Sequence, residues 1–246
     1  MAVVFPFGGV HYNQAQYPQI NEVVSPFFDS DNNDDFLKKK LRERVNNFIH
    51  VANPIGDSVT RSKNAANKYY GWLLRDILVI DQTPAYYLHK IESVQDGSDY
   101  KRCGLICVVD LNQIQVQNLE EMDRNKTDDA KSIISETLSN FNLVTLLYSD
   151  PKGQIVDLIR SFQENGKFMS ETSDFERNQH RIYQLTDETC HNKINELLET
   201  QKYYLMENAP QYEAAVLFSD NPASNCDLIA KEFGIRDHFT LSLKDY

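Results

Sequence analysis

The chain has 246 residues, of which 36 are acidic and 25 basic, so the formal net charge is −11. Hydrophobic residues make up 41% and charged residues 25%, values typical of a globular protein, which exclude a collagen-like chain, a coiled-coil rod and wholesale disorder. An acidic chain repels phosphate backbones, and no run approaches the roughly 18 apolar residues of a membrane span. No nucleic acid and no membrane are therefore expected as partners.

The densest basic stretch, at 38–44, follows several aspartates and is interpreted as the solvated face of a helix. Cys103 and Cys107 would lie about 13 Å apart along a strand, which is too far for a disulfide. Cys190 and Cys226 are isolated in the sequence. All four are interpreted as free thiols, which predicts a reducing, cytoplasmic location.

Hydrophobic spacing predicts the elements of the first half of the chain. For example, Leu37, Leu41 and Val45 recur every fourth residue, as on one face of a helix. The predicted elements are a strand at 2–7, a loop at 8–33, a helix at 34–45, a short strand at 47–51 and a helix at 61–78. A loop of that length inside a compact domain is unusual and is often functional.

Asp96-Gly97 separates two alternating segments, at 84–93 and 100–109, which is typical of a β-hairpin. Helices and strands alternate after it. The predicted elements there are helices at 127–139, 150–164, 187–200, 209–219 and 223–233, and strands at 143–148, 181–185 and 202–206. This order predicts an α+β fold, with a mixed sheet, a central β-hairpin and flanking helices. One domain is expected over 1–246, with a weak boundary at the polar, loop-like segment 165–180.

A series of short sequence blocks runs through most of the chain. The blocks are Phe5-Pro6-Phe7, Ser25-Pro26-Phe27-Phe28-Asp29, Asn46-Asn47-Phe48-Ile49-His50-Val51, Tyr70-Gly71-Trp72-Leu73, Leu78-Val79-Ile80-Asp81, Pro84-Ala85-Tyr86-Tyr87 and Gly104-Leu105-Ile106. In order and spacing the blocks resemble domain of unknown function 1015, a family of uncharacterised cytosolic proteins, mostly bacterial. The resemblance implies the family's fold, and it implies that a C-terminal region usual in the family is missing here.

The family has two polar signatures, and both are degenerate in this chain. The first contains Arg-His-Glu, a spaced Lys and an acidic pair. Its remaining members are Glu120, Lys126, Asp128 and Asp129. The second, Asp-Gly-His-His-Arg, is similar to the signature of the ParB-like free-serine kinases, and Glu207-Asn208-Ala209-Pro210-Gln211 stands in its place. The resemblance thus implies a phosphotransferase-type ancestry.

The replaced pentad lacks the groups that phosphoryl chemistry needs. Asn208 adds a Cβ where glycine would let backbone N–H groups approach a phosphate. Pro210 removes one N–H donor from the first helical turn. Gln211 lacks the guanidinium group with which arginine binds an anion through two hydrogen bonds. Glu207 alone preserves the carboxylate.

The same residues have a structural interpretation. Asn208 would cap the helix that follows it. Thr127 or Asp128 would cap a helix at 130–139, and the acidic pair there would suit the positive end of the helix dipole. In this interpretation neither segment needs a ligand.

We expect a non-catalytic binding or interaction protein with no cofactor and no metal, acting as a homo-oligomer or with a partner subunit. The alternative is a small-molecule, amino-acid kinase-like phosphotransferase that uses ADP or ATP with Mg. Its candidate catalytic residues are Glu120, Lys126, Asp128, Asp129 and Glu207. Asn208 and Gln211 are the candidates for binding the nucleotide.

Overall fold

The computed structural model describes residues 3–26, 28, 34–95, 98–118, 123–163, 166–174, 177–220 and 239–245. Glu120 and the predicted helix at 223–233 lie outside them. The helices are α1 (Asp35–Arg42), α2 (Ile49–Ala52), α3 (Ser58–Leu73), α4 (Arg124–Thr137), α5 (Gln154–Gln163), α6 (Glu188–Leu198) and α7 (Ala209–Asp220). No helix within the described residues combines the length and the apolar character needed to cross a membrane.

The strands follow the predicted alternation with several additions. They are β1 (Val4–Phe5), β2 (Val10–Tyr12), β3 (Leu78–Ile80), β4 (Tyr86–Gln95), β5 (Ser98–Val109), β6 (Val116–Asn118), β7 (Val144–Tyr148), β8 (Lys167–Ser173), β9 (Gln179–Leu185), β10 (Tyr203–Glu207) and β11 (Phe239–Asp245). The sequence patterns did not predict β2, β3, β6, β8 or β11.

Over the described residues the larger sheet has nine strands, in the order β6-β10-β7-β11-β5-β4-β9-β8, with β1 paired to β5. The pairs β10–β6 and β11–β7 are parallel, and the other neighbours are antiparallel. The long hairpin β4–β5 lies inside this order. The predicted α+β fold, a mixed sheet with a central β-hairpin and flanking helices, is confirmed.

Within the described residues, three apolar clusters form the core. The largest packs one face of the sheet, around Leu105, against α5 and against Ile194 of α6. The second surrounds the fully buried Trp72 of α3 and joins it to the small sheet of β2 and β3. The third lies between Ile134 of α4 and Phe218 of α7. Helices therefore flank the sheet, and the segment before β4 forms a separate packed unit beside it.

Four of the helices have an aspartate as their N-cap residue, because the carboxylate accepts hydrogen bonds from first-turn N–H groups. They are Asp34, Asp57, Asp123 and Asp187. The prediction that Thr127 or Asp128 caps the helix near 130–139 is wrong. That helix begins six residues earlier, at Arg124, since the Asp123 carboxylate accepts from the backbone N–H groups of Asn125 and Lys126.

The predicted strand at 47–51 is wrong, because the chain there turns into the short helix α2. The Asn47 side chain causes this local structure. Its Oδ1 accepts from the Ile49 backbone N–H at 3.1 Å, and its Nδ2 donates to the Val24 carbonyl oxygen at 2.7 Å. The buried amide thus organises a helical turn, which overrides the β propensity of the following Ile and Val.

Three other predicted segments differ from the structure. The expected loop at 8–33 contains β2 and a 3₁₀ turn at Ile20–Glu22. The helix expected at 61–78 begins at Ser58 and ends at Leu73, and Asp76, at φ +54°, reverses the chain into β3. The expected loop at 165–180 contains β8 and the start of β9, which extend the sheet.

Candidate functional site

A cavity of about 640 Å³ lies where the first packed unit, formed by the segment before β4, meets the β8–β9 hairpin at the edge of the sheet. Three segments form its walls, namely α1 with the residues just after it, the segment 21–26, which begins within the 3₁₀ turn, and the end of the β8–β9 hairpin. The lining residues are Asn21, Val24, Ser25, Pro26, Leu37, Lys40, Leu41, Glu43, Arg44, Thr172, Ser173, Asp174 and His180. Its volume is in the range of small-molecule sites in proteins.

Hydrogen bonds hold the segment 21–26 against both neighbours. On one side the Asn47 amide donates to the carbonyl oxygens of Glu22 and Val24, and the Phe48 N–H donates to Val23. On the other side the Thr172 hydroxyl of β8 donates to Asn21 Oδ1. The wall of the cavity is therefore fixed by contacts made before any ligand enters.

Two cationic side chains lie on the α1 wall. Lys40 and Arg44 are four residues apart, a spacing that places both on one side of the helix end. Their positive charges also suit the carbonyl end of α1, where the helix dipole is negative. Arg44 Nη1 lies 3.3 Å from the Glu22 carbonyl oxygen, which holds the guanidinium beside the cavity.

The opposite wall carries an ordered chain of three side chains. His180 Nε2 lies 3.1 Å from Asp174 Oδ2, and His180 Nδ1 lies 3.0 Å from His89 Nε2. The two imidazole rings are stacked, with centroids 5.2 Å apart and planes inclined by 25°. Asp174 and His180 line the cavity, while His89 lies behind them on β4.

Strand register brings the two histidines together although 91 residues separate them in the chain. In the antiparallel β4–β9 pair, His89 is opposite Ile182 and His180 is opposite Ile91. Directly opposed residues share one face of a sheet, and diagonal neighbours on that face lie within reach of a ring. The sheet therefore presents both imidazoles on the cavity side.

The hydrogen-bond partners define which group donates and which accepts among His89, His180 and Asp174. An ionised carboxylate can only accept, so His180 donates its Nε2–H to Asp174. In a neutral ring the remaining Nδ1 is then an acceptor, and it receives the Nε2–H of His89. The tautomers of both rings follow from this one arrangement.

Asp174 also closes the turn between β8 and β9. Its Oδ1 accepts from the Asn178 backbone N–H at 2.8 Å, and its Oδ2 accepts from the Asn178 amide at 2.7 Å. Partial burial alone would raise the pKa of Asp174, but the hydrogen bonds from His180 and Asn178 outweigh it and leave the pKa below its ordinary value. Asp174 is therefore a stable anion beside His180.

Apolar side chains complete the cavity. Val24 and Pro26 come from the segment 21–26, and Leu37 and Leu41 come from α1. The cavity thus combines a hydrocarbon surface with two cations and the Glu43 carboxylate on one side and hydroxyl, imidazole and carboxylate groups on the other. A ligand with both a charged and an apolar part would meet a matching surface for each.

The replaced pentad has a different environment. Glu207, at the end of β10, accepts from the Thr145 hydroxyl of β7 at 2.7 Å. The Gln211 amide donates to Asn140 Oδ1. The Asn208 amide donates to the Leu143 carbonyl oxygen at 2.6 Å, so the prediction that this side chain caps α7 is wrong. The first-turn N–H groups of α7 instead donate to the Asn208 backbone carbonyl.

Asn208 has φ +64°, in the left-handed region that asparagine tolerates better than most residues. The glycine of the family signature would occupy this conformation without strain. The side chains of Glu207, Asn208 and Gln211 bond to neighbouring strands and loops.

The remaining predicted residues lie on α4. Asp129 Oδ2 forms an ion pair of 2.6 Å with Arg61 of α3. Lys126 and Asp128 are exposed on the first turns of the helix. None of Lys126, Asp128, Asp129, Glu207, Asn208 and Gln211 lines the cavity beside α1.

A second polar cluster, formed by His11, Asp81 and Tyr87, joins the first unit to the sheet. The buried Tyr87 hydroxyl donates to Asp81 Oδ2 at 2.5 Å and accepts from the Gly9 N–H at 2.8 Å, while His11 Nε2 lies 3.2 Å from Asp81 Oδ1. A Cβ on Gly9 would lie 2.6 Å from the Tyr87 oxygen, so only glycine fits there. Burial raises the pKa of Tyr87, with the hydrogen bond to Asp81 adding to the rise. These hydrogen bonds connect the segment of Gly9 and His11 to β4.

Among the described residues, no group of three or more His, Cys, Asp or Glu side chains is arranged to hold a metal ion. Cys103, Cys107 and Cys190 are free thiols, and Cys226 lies outside the described residues. Burial raises the pKa of Cys107 beyond the normal range of a thiol, and burial, assisted by Asp187, raises the pKa of Cys190 to about 11. Both thiols are poor nucleophiles at neutral pH.

Sequence reasoning missed the residues of the cavity. The histidines lack metal-ligand spacing in the sequence, and His89 and His180 meet only through strand pairing. The spacing of Lys40 and Arg44 was a usable signal, but it was interpreted as a solvated helix face.

The fold and the cavity define a class of α+β protein in which a mixed sheet with a central β-hairpin carries a small-molecule-sized cavity at its outer hairpin. A family model described as "Protein of unknown function (DUF1015)" matches residues 4–206. The match covers most of the chain, and the protein belongs to this family. It includes every residue that lines the cavity and ends one residue before Glu207. No curated protein and no solved structure matches the chain.

Proposed function

We propose that this protein binds a small organic acid in the cavity beside α1 and does not transform it. The observation that supports the proposal is the pairing of Lys40 and Arg44 on one wall with Val24, Leu37 and Leu41 around them. The cations would hold the acidic group, and the apolar side chains would cover the hydrocarbon part. Charge-assisted hydrogen bonds to such a group are about twice as strong as neutral ones.

The proposal places no chemistry at the replaced pentad. The side chains of Glu207, Asn208 and Gln211 each bond to another segment of the protein. A phosphotransferase would need donors that converge on a phosphate, and a proline removes one of them from the first turn of α7. The interaction-protein interpretation thus becomes a more definite one, that of a small-molecule-binding protein.

The test uses hexanoate, which has one carboxylate and a short apolar chain. Hexanoate at millimolar concentration is expected to raise the melting temperature of the full chain, because a ligand that binds only the native state stabilises it by mass action. Acetate, which lacks the chain, and hexanol, which lacks the charge, should each give a smaller shift. The absence of any shift with hexanoate at saturating concentration would overturn the proposal.

Two double variants locate the binding. Lys40→Ala with Arg44→Ala should weaken hexanoate binding at least tenfold in calorimetry. The matched control is Lys39→Ala with Lys63→Ala, which removes the same charge from exposed positions outside the cavity. An equal loss in both variants would show that net charge alone attracts the acid, and the proposal would fail.

ADP and ATP with Mg belong in the same experiment, since they test the phosphotransferase alternative. The proposal expects neither to raise the melting temperature beyond the effect of Mg alone. A nucleotide-dependent shift that disappears in Glu207→Gln would favour the alternative instead.

A further inference from the structure

His180 is the lining residue that carries an imidazole ring. It does not act alone, because His89 donates to it from behind and Asp174 accepts from it on the other side. The cavity therefore has an imidazole pair backed by a fixed negative charge. Such a pair is suited to accept a proton when a further anion approaches.

We propose that the cavity takes up its acidic ligand together with one proton, which the His89–His180 pair accepts. This inference rests on the proposed function, since it describes how the same cavity responds to an acid. A proton added to the pair makes one ring an imidazolium. Transfer of the shared hydrogen along the N–H···N bond then lets the charge lie on either ring, so the charge can reach His180 at the cavity wall.

The charges around the pair decide the sign of the effect. Asp174 favours an imidazolium next to it, and a bound carboxylate in the cavity adds a second favourable charge. From the α1 side, Lys40 and Arg44 oppose the imidazolium, and Glu43 favours it.

On the sheet face that carries His89, the register adds Tyr87 of β4 and Arg102 of β5, because Arg102 is opposite Ile91. Tyr87 stays neutral near pH 7, since burial raises its pKa. In the empty cavity the opposing cations limit protonation, and the ligand neutralises them. Ligand binding and proton uptake should therefore favour each other, and affinity should fall as pH rises.

Calorimetry of hexanoate binding measures directly how binding and proton uptake are coupled. The carboxyl group of hexanoate stays ionised between pH 6 and 8, so its own titration does not contribute. Titrations in two buffers of different ionisation enthalpy give the number of protons taken up on binding. We expect up to one proton, and a dissociation constant that rises by up to about tenfold per pH unit where the pair loses its proton.

His89→Gln is the informative variant, because His89 does not line the cavity and glutamine keeps an N–H donor for His180. It should lose most of the pH dependence of hexanoate affinity. His11→Gln is the control, since it removes an imidazole that pairs with Asp81 away from the cavity. That variant should keep the native pH dependence.

Nitrogen-detected NMR of the imidazoles supplies a ligand-free readout. At high pH it should show His180 with the proton on Nε2 and Nδ1 as acceptor. The opposite tautomer would overturn the inference. Hexanoate binding with no proton uptake and a flat pH profile would also overturn it, while leaving the proposed function intact. Failure of hexanoate to bind at any pH would overturn both the proposed function and the proposed proton uptake.

Discussion

The cavity beside α1 and the junction between β10 and α7 both collect polar side chains at the ends of strands, but they orient them differently. At the junction, the amides of Asn208 and Gln211 donate to a neighbouring carbonyl or amide oxygen. At the cavity, Arg44 and His180 also bond to protein groups, but both of them and Lys40 line the cavity. The side chains at the junction bond to the protein and do not line the cavity, whereas those of the cavity are placed where a ligand would contact them.

The strongest way to test this contrast is to disturb the turn at Asn208. We expect Asn208→Val to lower the free energy of unfolding by about 2–4 kcal/mol, because a β-branched residue is strained at positive φ and the bond to the Leu143 carbonyl is lost. Urea denaturation with an unchanged slope would measure it.

Asn208→Gly is the matched control for that variant. Glycine accepts the backbone conformation, so only the hydrogen bond is lost, at a cost of about 1 kcal/mol. Hexanoate binding should be unaffected in both variants. Native stability in Asn208→Val would mean that the turn does not have the structural role assigned to it.

A smaller effect is expected at Glu207. Glu207→Ala removes the acceptor of the Thr145 hydroxyl, and Thr145 is only 3% exposed. Because the carboxylate itself is exposed, we expect a loss of about 1 kcal/mol in the free energy of unfolding. Glu207→Gln, which keeps an acceptor oxygen, should lose less. A variant with full stability and a lost ligand response would instead make Glu207 a functional group and weaken the contrast.

The elements that could be predicted from sequence are those whose signal is local. The β4–β5 hairpin follows from Asp96-Gly97 between alternating segments, and α1 follows from its four-residue apolar spacing and Asp34. The short strand β6 and the edge strand β8 carry weak signals. β6 pairs with β10, which is distant in the sequence, and this tertiary pairing decides its structure, whereas β8 pairs with the next strand, β9, across a turn.

The same physical reason explains why the site was harder to predict than the fold. The family resemblance directed attention to the pentad, whose side chains now belong to structural hydrogen bonds. The cavity instead combines residues near position 40 with His180, and nothing local in the sequence links them. Only the docking of the first packed unit against the β8–β9 hairpin brings them together.

The smallest effect is expected at Lys126, which the phosphotransferase alternative needs and the cavity does not. Lys126 is exposed on the first turn of α4, and exposed substitutions away from special features change stability by about 0.5 kcal/mol or less. Lys126→Ala should therefore match the native chain in urea denaturation, in hexanoate affinity and in its response to ADP or ATP with Mg. Removing a positive charge near the amino end of α4 acts slightly in favour of the helix dipole, so any small change should be stabilising. A nucleotide-dependent shift present in the native chain and absent from this variant would move the functional site from the cavity to α4.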